Sequence, residues 1–175
     1  MTDLSSGQST RQFTTIFIDA YRIRGGDTPG SGAYVVAFED RLAWGLGEAD
    51  DLEAFFAHGL EHALTLLGED HGPIRLRFFA WRSSFTRRIR RSAPMWIARG
   101  GLKANGEPVP HFAMWSKLHG MLEAGDLKLA YGGRREAGAL GKAATAKLED
   151  CLARVRALGL HAEDGIVERG IEQSG

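Results

Sequence analysis

FTTIFIDAYRIRGGDTPGSGAYVVAFEDRLAWGLG spans residues 13–47, and its reading decides how the rest of the chain is read. Its opening, FTTIFIDAY (13–21), is rich in β-branched and aromatic side chains and predicts a central strand. RIRGGDTPGSG (22–32) crowds Gly, Pro, Asp and Ser together, the chemistry of a turn. AYVVAFE (33–39) and RLAWGLG (41–47) read as the second and third strands. The short connections between them predict an antiparallel meander.

Downstream the period changes. DDLEAFFAHGLEHALTLLG (50–68) places Leu52, Phe56, Leu60, Ala63 and Leu67 on one helical face. Asp50 with Glu53 three residues on reads as a capping box, and Gly68 as the stop. IRLRFFAW (74–81) predicts a fourth strand, and SSFTRRIRR (83–91) a short basic helix that ends before Pro94. MWIAR (95–99) is a second helical piece ahead of a Gly- and Lys-bearing loop at 100–110. HFAMWSKLHGMLEAG (111–125) predicts a helix, LKLAYG (127–132) a fifth strand, and 138–159 a helix of good propensity. The order β-β-β-α-β-α-α-β-α predicts an α/β fold. Its sheet is five-stranded and mixed, three antiparallel strands then alternating α/β, flanked by helices. Residues 1–12 read as a flexible lead, 13–159 as the domain and 160–175 as a polar, frayed tail.

The bulk numbers narrow the classes. A chain of 175 residues suffices for one domain with a proper core. Lys plus Arg and Asp plus Glu both number 22, so whole-chain charge neither points to nucleic acid nor excludes it. Local clustering carries that question. No apolar run approaches the length of a membrane span, and the polar N-terminus MTDLSSGQSTRQ lacks the apolar core of a secretion signal. The single Cys151 cannot form an internal disulfide, which fits a reducing cytoplasm, and on an apolar helix face it reads as packing.

The element order and three strings resemble the ribonuclease H type 1 family. IFIDA followed by TPGSGAYVV is similar to that family's strand ending in Asp and its NPGxGGYG-like turn, with a longer loop here. RGGLKANGEPVPHFAMWSKL is similar to its basic handle loop and following helix, with Pro108, Val109 and Trp115 in the PV…LW places. LKLAYGGRREAG sits where the last strand enters a VKGHxG-like loop. The resemblance covers roughly residues 14–155. It implies cleavage of RNA in RNA–DNA hybrids by two divalent metals, held by four carboxylates, that clamp the scissile phosphate.

This sequence departs from that pattern. The first-strand Asp is Asp19, and the first-helix Glu falls among Asp51, Leu52 and Glu53. The fourth-strand TDS string falls on Trp81 and Arg82, and the last-helix Asp near Ala143, with Glu136 and Glu149 the nearest acids. The mobile His falls on Gly133. One or two carboxylates cannot hold a metal pair. The expectation is that Arg82 pairs with Asp19, that Trp81 fills the vacated volume, and that no metal is retained.

The groove survives that loss. Arg22 and Arg24 in the first turn are candidate phosphate contacts, as are Arg87, Arg88, Arg90 and Arg91 on the basic helix. So are Arg99 and Lys103 by the handle-like loop and Arg134 and Arg135 in the last loop. A charge run is equally often a solvated face. Trp96 and Trp115 read as core before stacking platforms. His58 and His62 stand i, i+4, but with no third ligand nearby they read as surface or interface histidines. Three readings stay open. One is a catalytically degenerate domain that binds an RNA–DNA hybrid or duplex through a basic face. The second is a divergent nuclease using Asp19, Asp51 or Glu53, and Glu136, with Mg²⁺ or Mn²⁺. The third is a protein-interaction module or complex subunit.

Overall fold

The strand that carries Asp19 is central because both of its faces are apolar. In the computed structural model, which describes residues 12–23, 30–78, 83–131, 136–159 and 166–173, β1 runs Thr14–Arg22. It pairs antiparallel with β2 (Gly30–Phe38), which pairs antiparallel with β3 (Arg41–Ala49). On its other side β1 runs parallel to β4 (Ile74–Phe78), and β4 parallel to β5 (Leu127–Tyr131).

The sheet order is β5-β4-β1-β2-β3-β6, so the sheet has six strands rather than the five expected. The additional β6 (Ile166–Gln173) lies in the segment expected to fray and pairs antiparallel with β3. Its sequence IVERGIEQ is polar because it is an edge strand with one half-buried face, and period-2 alternation diluted by charge is a weak signal. Gly170 matters there, because it lies against the Trp44 indole where a Cβ would collide.

Side chains alternate across the sheet. Ile16, Ile18 and Ala20 pack with α1 (Leu52–Leu67). Phe17, Ala33, Val35, Leu42, Trp44 and Leu46 pack with α5 (Gly138–Leu158), as does the buried Cys151, whose thiol burial pushes up to about 11. Asp19 alternates with Ile18 and Ala20 and therefore faces the α5 side.

Two local expectations are corrected. The N-cap of α1 is Asp51, not Asp50: its carboxylate accepts from the Ala54 N–H at 2.7 Å. A capping box would then need an acid at 54, where Ala stands, so Glu53 is left to other partners. Pro94 does not end the basic helix. The chain runs through α2 (Ser83–Arg87), a π-helical turn (Arg88–Ser92) and α3 (Ala93–Ala98). Pro94 sits in the first turn of α3, where its missing N–H costs no helical bond, and the wider π turn precedes it. Phe85, Ile89 and Ala93 bury this path against Trp115 and Leu118 of α4 (Phe112–Glu123).

Candidate nucleic-acid interface

Asp19 is 5% exposed near the end of β1, and its Oδ1 accepts from the Ala20 N–H at 3.0 Å. Trp81 and Arg82 lie outside the described residues, as do Arg24, Arg134 and Arg135, so the expected Asp19–Arg82 pair does too.

The other acids are engaged. Arg88 reaches back from the π turn to α1, with Nη2 3.7 Å from Asp51 Oδ2 and Nε against Glu53 Oε2. Its guanidinium also lies 6.0 Å from the Trp115 ring centroid. Arg88, expected on the phosphate-binding face, is thus a bridge between helices. The two acids expected to approach a metal carry its charge. Glu136 is ion-paired with Arg77 of β4. Arg77 stands in register with Phe17, on the Asp19 face of the sheet, and stacks 5.7 Å over the Phe17 ring. Sequence reading missed Arg77 because alternating basic residues in a strand resemble an ordinary solvated face. The inward face of α5 carries Leu140, Gly141, Ala144 and Leu148, with Glu149 exposed. Among the described residues, Asp19, Asp51, Glu53 and Glu136 do not come together as a cluster of three able to hold an ion.

The remaining basic residues divide. Arg87, Arg90 and Arg91 are exposed on the α2–π segment and make no ion pair among the described residues. Arg99 is likewise exposed at the end of α3. Lys103 is held by Glu107 at 3.0 Å. Arg22 is half-buried beside Gly30. Trp115 is core, 1% exposed and donating to the Pro110 carbonyl, while Trp96 packs on it at 6.2 Å.

The two histidines of α1 have different fates. His62 meets the Tyr34 hydroxyl at 3.1 Å, and burial pushes that hydroxyl up to about 12. His58 stands edge-on to His111, with ring centroids 4.6 Å apart, and His111 Nδ1 lies 3.0 Å from Glu61 Oε1. Burial first, and His111 second, lower His58 to about 4. His58 therefore stands beside His111 from a distant element, with Glu61 one turn on completing a triplet that no local spacing announces.

No protein-family model matches the sequence, and no curated protein matches it. Solved structures do match. LC9-RNase H1, a type 1 RNase H with the type 2 active-site motif, is 15% identical over 93% of this chain and 78% of its own, with a TM-score of 0.54. A foamy viral protease-reverse transcriptase in complex with dsDNA is 14% identical over 77% of this chain and 93% of that one, at a TM-score of 0.52. The foamy viral enzyme in complex with an RNA/DNA hybrid is 12% identical over 83% of this chain, at a TM-score of 0.50, and this chain spans 22% of it. The fold is ribonuclease H-like.

Proposed function

We propose that this chain is a nucleic-acid-binding domain on a ribonuclease H-like scaffold, with a degenerate hydrolytic metal site. The observation that carries the reading is the split among the arginines of the basic segment. Arg88 is spent on Asp51 and Glu53, whereas Arg87, Arg90 and Arg91 are exposed without ion pairs among the described residues. The first removes carboxylate charge that a divalent cation needs. The second leaves three guanidinium forks to contact phosphates. Similar structures were solved with dsDNA and with an RNA/DNA hybrid, and the proposal extends that ligand class to this chain.

The test is a labelled RNA–DNA hybrid incubated with Mg²⁺ or Mn²⁺, wild type beside Asp19→Asn, with bound and cleaved fractions read from the same samples. The degenerate binder gives salt-sensitive binding and no cleavage. Metal-dependent cleavage lost in Asp19→Asn establishes the divergent nuclease instead.

A second reading, a protein-interaction module, is favoured by β6. It is an edge strand, and Val167 and Ile171 on it are 44% and 48% exposed. A chain that neither cuts nor binds the hybrid falls to this reading.

A further inference from the structure

His58 and Glu61 project from one face of α1, and His111 enters from the N-terminal end of α4, about fifty residues away in sequence. One ligand atom from each lies within 4.8 Å of the other two, and all three residues are half-buried. We propose that His58, Glu61 and His111 form a binding site for one divalent transition-metal ion of the zinc type, joining α1 to α4.

The chemistry fits the donor set. Two imidazoles and one carboxylate are ligands that zinc takes in three-residue sites. Donors about 2.0–2.1 Å from a shared tetrahedral ion stand about 3.4 Å apart, so small side-chain rotations close the site. The His111 Nδ1 to Glu61 Oε1 separation is already 3.0 Å.

Two features are unexplained by packing alone. His58 Nδ1 is buried with no hydrogen-bond partner among the described residues. His111 occupies the N-cap of α4 in the left-handed region, φ 58° and ψ 29°, and makes no side-chain cap. A helix start ordinarily takes an extended residue whose side chain accepts from the first turn. Here the backbone holds an uncommon conformation while the imidazole turns away toward Glu61 and His58, a pattern associated with functional constraint. Glu61 also lines an open cleft with His62, Met114, Lys117 and Arg169, which gives an ion a route from solvent. The site lies apart from Asp51, Glu53 and Arg88 and is independent of the nucleic-acid reading.

The experiment uses the full chain, freed of any purification tag and stripped with EDTA, titrated with Zn²⁺ alone by calorimetry and followed by thermal melting. The expected result is one Zn²⁺ per chain and a melting temperature that rises with it. Glu61→Gln and His111→Asn each weaken binding tenfold or more, and His71→Gln leaves it unchanged. Asn tolerates the left-handed backbone, so His111→Asn removes the ligand while keeping the helix start. In the wild type itself, Zn²⁺ shifts the imidazole NMR signals of His58 and His111 and leaves those of His71 in place, a readout that needs no variant to fold. Absence of saturable binding, or binding that persists in both variants with those ring signals unmoved, overturns the proposal.

Discussion

Replacing Arg87, Arg90 and Arg91 together by Ala tests the interface most directly, because its size follows from counting charges. All three are exposed and make no ion pair among the described residues, so removing their charge breaks no ion pair described there. Each phosphate neutralised on a duplex contributes about 0.9 to the fall of log K with log salt, so losing three contacts flattens the slope by about 2.7. Between about 50 and 200 mM KCl the wild type then loses roughly 40-fold more affinity than the variant. The assay is fluorescence anisotropy of a labelled RNA–DNA hybrid across a KCl series, with circular dichroism to verify folding. Arg88→Ala is the internal control. Its charge already answers Asp51 and Glu53, so it shifts the slope by about half a unit or less. A triple variant whose slope equals that of the wild type refutes the assignment of this segment to phosphate contact.

Other expectations concern stability. Arg88→Ala leaves Glu53, whose side chain is 16% exposed, without its partner and costs about 1–2 kcal/mol after allowance for solvent screening, read as a lower urea midpoint at unchanged m. Gly170→Ala drives a Cβ into Trp44 and costs about 1–3 kcal/mol, with amide exchange rising first in β6; unchanged exchange there would mean that β6 does not pack as described. In EDTA, stability falls with pH through the His58 window. The folded state holds His58 at about 4, against 6.5 for the free group, so below the higher value the unfolded chain takes up a proton that the folded chain refuses. No contribution arises above that window. His58→Gln therefore flattens the loss of melting temperature between roughly pH 6.5 and 4, and equal slopes in the two proteins would remove His58 as the cause.

The central meander, the apolar face of α1 and the alternation that follows are local periodicities, legible in the order of residues because a pleat repeats every two and a helix every 3.6. Asp19 was legible by another route, the resemblance of IFIDA to a family strand that ends in Asp. The rest depended on distance in space. The partners of Glu53 and Glu136 are Arg88 and Arg77, contributed by other elements, and Arg88 and Arg90 read alike in the string RRIRR although one is ion-paired with the start of α1 and the other is exposed. The π turn that carries the chain past Pro94 has no compositional signature, and β6 becomes a strand only because β3 offers it an edge. His111 meets His58 and Glu61 only once α4 has packed beside α1. Burial and pairing are properties of the assembled layers, and for that reason the residues that carry charge in this protein acquire their roles only in three dimensions.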